Sequence, residues 1–267
     1  MSSVRLRPAT VVDHELYRHF FAELGTPDAP LDSARWQAEC VSTSAFLMEE
    51  AREVGYAAWE QAGLNAHVRH VAIELTARGR GLGHRLMLEL GARLRAGGAQ
   101  AWRLNVYPTN AAAIGLYEKV GLSVVYATTV LRLDWEHVSR LACETSRSSE
   151  ANPSFDSVLE KKFGLMEDQL GRARLRQGIR VVAATTPEGE PVGIAIFDPS
   201  LPGAFPFRCK SPGHARGLIE GLRERYHGDK ASVQLVIEDS PAVAHTLQAA
   251  GAQRVRELFH MRGPIPR

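Results

Sequence analysis

The chain has 267 residues, with 32 Lys+Arg against 30 Asp+Glu and a formal net charge of +2. That length suits about two domains, and 45% apolar with 23% charged residues excludes a disordered, collagen-like or coiled-coil chain. The near-balance of charge excludes the strongly basic domain of a dedicated nucleic-acid binder, so an anionic ligand has to be held by local chemistry. Cys40, Cys143 and Cys209 lie far apart with no CxxC pair, which writes neither a zinc knuckle nor a disulfide framework, and no metal is expected. The opening residues lack a signal-peptide h-region, and no run approaches the ~18 apolar residues of a membrane span. A cytoplasmic protein with no membrane or nucleic-acid partner is the expectation.

Val4 to Arg7 predicts a short strand, broken at Pro8 to Thr10. From Asp13 to Leu24 the apolar residues Leu16, Phe20, Phe21 and Leu24 keep a helical period. A turn-rich stretch, Gly25 to Pro30, leads to a second short helix over Ser33 to Cys40. Ala45 to Glu49 and Val54 to Glu60 form a hairpin pattern, and His67 to Leu75 a further strand. Helix then follows strand twice: Gly83 to Ala96, and Ala111 to Lys119 after the strand Ala101 to Tyr107. Val124 to Leu133 closes this half as a strand.

The polar, Ser-rich segment 136–153 predicts a linker, giving domains 1–135 and 154–267. A shift of 130 residues lays the first half on the second. It pairs Arg78 with Arg208, Gly83 with Gly213, His84 with His214, Gly91 with Gly221, Val106 with Val236 and Gly121 with Gly251. Upstream, Val54-Gly55 matches Val192-Gly193 after a gap. Two copies of one α/β unit account for these matches.

Between the strand ending near Leu75 and the helix starting near Gly83 lies Arg78-Gly79-Arg80-Gly81-Leu82-Gly83. A helix start offers unpaired N–H groups and the positive end of the helix dipole, and glycines let a phosphate approach the backbone. The loop lacks the Lys-Ser/Thr of a P-loop, and its glycine spacing and late position differ from a Rossmann turn. A second constellation follows at Asn110 to Leu122. Asn110 suits an N-cap and shares a helix face with Ile114 and Tyr117, while Ala111 to Ala113 leave room beside the first turn. Tyr117 reads either as a core aromatic or as a proton donor.

With R-x-x-G-x-G after a strand and N-x-x-A-x-x-x-Y-x-K-x-G downstream, residues 3–134 resemble the GNAT superfamily of acyl-CoA-dependent N-acyltransferases. The resemblance implies an α/β (α+β) fold of two GNAT-like domains, each a mixed, mostly antiparallel sheet flanked by helices. It implies acetyl-CoA as co-substrate, with the pantetheine arm on Val71, Ala72 and Ile73 and the pyrophosphate on Arg78, Gly79, Arg80, Gly81, Leu82 and Gly83. It also implies that Asn110 and Ala113 lie beside the cofactor arm and that Tyr117 protonates the departing thiolate.

An amine attacking a thioester builds negative charge on oxygen and then on sulfur, where backbone donors and a phenol can act. Neither motif contains a cysteine, and no Ser or Cys is flanked by an evident base, so direct transfer is expected. An alkylammonium must first lose a proton. His67 is the candidate base, in a place where several resembling proteins carry Glu or His; a water relay past a solvated His67 is the other reading. On a regular strand His70 and Glu74 point to the face opposite His67, which argues against a His67/His70 metal pair. Resembling enzymes that acetylate ribosomal-protein N-termini often carry Glu where this chain has Asn105, which weakens a protein-directed reading.

In the 130-residue register Tyr117 maps to Leu247, Gly81 to Ser211, Leu82 to Pro212 and Asn110 to Ser240. The second copy is therefore expected to be a degenerate GNAT-like domain, in the manner of tandem GNAT proteins. The functional expectation is an N-acetyltransferase acting on a primary amine, as monomer or homodimer, with a small molecule as acceptor. A non-catalytic acyl-CoA-binding module and a protein or peptide N-acetyltransferase are the alternatives. His14, His19, Trp36 and Trp59 are candidates to line the acceptor pocket, as are the loop from Gly25 to Val41 and the region 49–54.

Overall fold

The computed structural model describes residues 4–26 and 29–266; Pro27 and Asp28, within the expected turn, lie outside the described residues. Two compact units emerge. One gathers the chain up to Val125 together with the segment from His260 onward, and the other runs from Tyr126 to Phe259.

The front unit contains β1 (Val4–Pro8), α1 (His14–Ala22), α2 (Ser33–Glu39), β2 (Ser44–Glu49), β3 (Arg52–Ala62), β4 (Asn65–Ile73), α3 (Leu82–Ala96), β5 (Ala101–Val106) and α4 (Ala111–Lys119). Its strands are ordered β1-β2-β3-β4-β5, antiparallel except for the parallel pair β4–β5. On one face of this sheet the inward residues of the first two helices, Tyr17, Phe20, Phe21 and Trp36, pack with Phe46, Tyr56, Ala58 and Ala72. Each large side chain so buried contributes roughly 1.5–3 kcal/mol.

The long helix α3 covers the other face. Leu82, Leu86, Met87, Leu90 and Leu94 form its buried stripe at helical spacing. Gly91 allows contact with Trp102 of β5, where an added Cβ would lie 3.4 Å from the indole. Arg93 sits over the Trp59 ring at 5.3 Å, which places Trp59 on the α3 side of the sheet.

The back unit contains most of β6 (Ser123–Asp134), followed by β7 (Arg147–Glu150), α5 (Asp156–Phe163), α6 (Gln169–Arg174), β8 (Arg180–Thr185), β9 (Pro191–Asp198), β10 (Gly203–Cys209), α7 (Ala215–Glu224), β11 (Ser232–Glu238) and α8 (Pro241–Ala249). The Ser-rich stretch 136–153 carries a 3-10 turn, Trp135–Arg140, and then β7. The strand order is β7-β8-β9-β10-β11-β6, again antiparallel except for one parallel pair, β10–β11. From β7 to β11 the pairings repeat those from β1 to β5 of the front unit.

The 130-residue shift carries the bounds of α4 onto those of α8 and the bounds of β6 onto those of the last strand, β12 (Gln253–Pro264). Gly121 and Gly251 occupy corresponding turns, both with positive φ (86° and 110°). Residues 260–266 complete the front unit: Ile265 N–H donates to Gln100 C=O at 2.9 Å, and Ile265 packs at Gly91. Among the described residues no helix is long and apolar enough to cross a membrane.

Candidate active site

The parallel ladder between β4 and β5 runs Asn65↔Ala101, Ala66↔Trp102, His67↔Arg103 and, among the described residues, goes no further. Beyond it, Val71, Ala72 and Ile73 keep their partners Ala57, Tyr56 and Gly55 on β3, while a gap opens on the β5 side. In a strand, backbone N–H and C=O groups alternate between edges, so part of this stretch faces the gap without a partner on β5. Gly55 permits the close β3–β4 approach there: an added Cβ would lie 2.8 Å from Ile73 Cδ1.

At the end of β4 the chain makes a 3-10 turn, Leu75–Ala77, and enters α3 through Gly79 and Gly81. Both glycines are left-handed (φ 78° and 80°), a conformation costly for any residue with a Cβ. A Cβ added at either would meet nothing within 4 Å, so this cradle is open. Gly81 is the N-cap and no side chain caps the helix, which leaves its first-turn N–H groups available to an anion.

The arginines of this loop are engaged. Arg78 donates to Ile73 C=O at 2.9 Å and to Glu23 at 2.7 Å, and Arg80 donates to Glu49 at 2.6 Å. Gly83 lies one residue into the helix, where an added Cβ would come 3.2 Å from Leu116 of α4.

α4 starts at Asn110, whose Oδ1 accepts from Ala113 N–H at 3.1 Å, a standard side-chain cap. Two turns on, Tyr117 is 8% exposed, and burial pushes its phenol up to about 12. Its hydroxyl has no hydrogen-bond partner among the described residues. A phenol so placed stays protonated over the whole working range and can donate to charge developing nearby.

A β-bulge corrects the expected facing of His67 and His70. The β3–β4 register runs Trp59↔Val68 and then Ala58↔His70, which leaves Arg69 as the extra residue. The insertion shifts the alternation, so His67 and His70 share one face, that of Tyr56 and Ala58. The argument against a His67/His70 metal pair therefore falls, although no group of three or more potential metal-ligating side chains gathers among the described residues. His70 packs edge-on against Phe21 at 5.5 Å. Glu74 lies beyond β4 and pairs with Arg52 at 2.6 Å.

His67 is pushed down to about 3, chiefly by burial, then by the charges of Arg103 and Arg69 and by His260 and His70. It is neutral at physiological pH. Asn105 lies on this same side of β5, two residues past Arg103, and its Oδ1 lies 3.0 Å from His260 Nδ1. The other pocket candidates are placed differently. Trp36 is fully buried beside Tyr17, His14 faces Leu31 C=O at 3.0 Å, and His19 is exposed.

These elements fall within the segment matched by the profile of the acetyltransferase (GNAT) family, residues 13–122. The front unit carries the GNAT acetyltransferase sequence match. The family uses acyl-CoA, and the open glycine cradle with uncapped helix donors suits a pyrophosphate.

The GNAT fold extends over the whole chain. A candidate acetyltransferase of Pyrococcus horikoshii matches 99% of this chain and 90% of its own at a TM-score of 0.73 and 16% identity. A GCN5-related N-acetyltransferase of Sphaerobacter thermophilus matches 99% and 96% at 0.68 and 16%. A tandem GNAT protein from the clavulanic acid biosynthesis pathway matches 99% of both chains at 0.62 and 15%. At these identities the likeness is one of fold. No curated protein matches the sequence significantly.

The second GNAT-like unit is built differently where the first is open. Its parallel pair β10–β11 continues to Phe207↔Ile237, close to the end of both strands. The place of the glycine cradle is taken by Ser211, Pro212 and Gly213, with a carboxylate laid against them. Glu144 accepts from Ser211 Oγ at 2.6 Å, lies 3.4 Å from His214 Nε2, and crowds the space a Cβ at Gly213 would occupy. Leu247, at the position of Tyr117, is fully buried.

Proposed function

We propose that the front unit transfers an acetyl group from acetyl-CoA to the primary amine of a small molecule, by direct attack within a ternary complex. The observation that carries this is the gap between β4 and β5. It has uncapped helix donors and two left-handed glycines at one end, and along the gap β4 has no ladder partner on β5. Such a gap can hold an extended thioester arm by backbone hydrogen bonds while the helix terminus takes the diphosphate.

The residue chemistry supports transfer without an acyl-enzyme. Cys40, the front unit's thiol, is buried, and burial pushes it up, so it stays protonated. In the step itself the neutral amine nitrogen forms the C–N bond, charge moves onto the carbonyl oxygen beside β4, and the C–S bond breaks. Tyr117 donates its proton to the leaving sulfur, and the second N–H proton of the adduct makes good that loss. The lack of a carboxylate at Asn105 supports a small molecule over a protein N-terminus as acceptor.

We further propose that the back unit binds no CoA, because Glu144 holds the position a phosphate would need and the strand gap is closed. The test is thiol release from acetyl-CoA, followed with a chromogenic disulfide across a panel of amines and N-terminal peptides. Amine-dependent release supports the reading. Acetyl-CoA binding with no release on any acceptor would make this a binding module, and release on peptides alone would overturn the small-molecule assignment.

A further inference from the structure

The matched family segment ends at residue 122, yet the front unit is completed by the residues from His260 onward. His260 is 3% exposed, and its Nδ1 lies 3.0 Å from Asn105 Oδ1. Asn105 stands on β5 beyond the last rung of the ladder with β4, on the wall of the gap where the acyl group would sit. A carbonyl oxygen can only accept a hydrogen bond, so Nδ1 carries the hydrogen and Nε2 keeps the lone pair of the neutral ring. That is the tautomer of a base held in place by a neighbour.

We infer that His260, delivered by the C-terminal strand and oriented by Asn105, takes the proton from the incoming ammonium before attack. This rests on the transferase reading above. The balance is simple: R–NH3+ gives one proton to Nε2, which passes it to water, and the freed electron pair on nitrogen forms the C–N bond. His260 acts on His67 together with Arg103, Arg69 and His70, and Glu60 lies across from His67 on β3. His67 is itself a poor proton acceptor. Its conjugate acid, near 3, lies about seven pH units below an alkylammonium near 10, so proton transfer to it is steeply uphill. The arginines disfavour a lasting second positive charge on the face, which favours release of the proton to water. Asn105 acts through the ring and is a positioning residue.

The experiment uses the full chain with acetyl-CoA and the best amine of the panel. His260→Gln is expected to lower kcat/KM for the amine by about 10²–10³-fold, with acetyl-CoA affinity held within twofold. Its pH–rate profile should climb steadily with the free-amine fraction, where the parent levels off. Asn105→Ala should lower kcat by about tenfold, and Asn105→Asp, which still accepts from Nδ1–H, should restore most of it. A His260→Gln enzyme with kcat/KM within threefold of the parent and the same pH profile would overturn the inference. So would a loss of activity that merely parallels lost acetyl-CoA affinity or a lowered Tm, since that marks a structural role. A parent protein that binds acetyl-CoA but acetylates no amine would instead overturn the transferase reading itself.

Discussion

Arg80 is held by Glu49, its guanidinium donating to the carboxylate at 2.6 Å, so a loop cation that a diphosphate would attract already has an anionic partner. Arg80 is half-exposed, and an ion pair of this kind contributes about 0–1 kcal/mol. Exchanging a carboxylate for a doubly charged pyrophosphate is therefore easy. Arg80→Ala should weaken CoA binding about three- to tenfold and flatten its salt dependence, whereas Glu49→Gln should leave affinity unchanged or tighten it up to about threefold. Calorimetric titrations at two salt concentrations read both effects. Weaker binding in Glu49→Gln would show that the carboxylate positions the arginine for the ligand.

Gly81→Ala tests the cradle. The left-handed backbone costs a residue with a Cβ about 1–2 kcal/mol, and the added methyl projects into the space assigned to phosphate. Melting should fall by about 3–6 °C, and CoA affinity should fall about tenfold or more. A variant that melts lower yet binds CoA as before would place the diphosphate elsewhere.

Tyr117→Phe removes one oxygen from a buried ring and leaves its packing. The expected result is a 10²–10³-fold lower kcat with little change in acetyl-CoA affinity, the range for loss of a positioned proton donor. An unchanged kcat in steady-state assays would reduce Tyr117 to a core aromatic.

His67 predicts an acid limb in stability. The folded state holds its conjugate acid near 3 against about 6.5 in the unfolded chain, so below pH 6.5 the unfolded state binds more protons. Stability is then flat above pH 6.5 and declines as pH falls toward 3, by up to about 1.4 kcal/mol per pH unit from this group. Denaturant midpoints from pH 7.5 to 4.5 should show a shallower decline in His67→Asn. An equal slope in both proteins would assign the acid sensitivity to other groups.

Much of this molecule is legible along the chain because its signals are local. The glycine run, the Asn110 cap and the amphipathic stripe of α3 each declare themselves within a few residues. The repeat register carries α4 onto α8 with matching bounds. Two features that rearrange the site are not local. The bulge at Arg69 exists only in the pairing of β4 with β3, and it turns His70 to the face opposite the one a regular strand predicts. His260 lies more than 150 residues from Asn105 in sequence, and no pattern in the last strand announces that its end belongs to the front unit.

In the proposed arrangement the front unit holds an open diphosphate cradle, and Glu144 fills the corresponding place in the back unit. Isothermal titration of the full chain with acetyl-CoA tests this most directly. The prediction is saturable binding with one equivalent per chain, abolished or strongly weakened by Gly81→Ala and unaffected by Leu247→Ala. Absence of binding, or a second equivalent of comparable affinity, would contradict it.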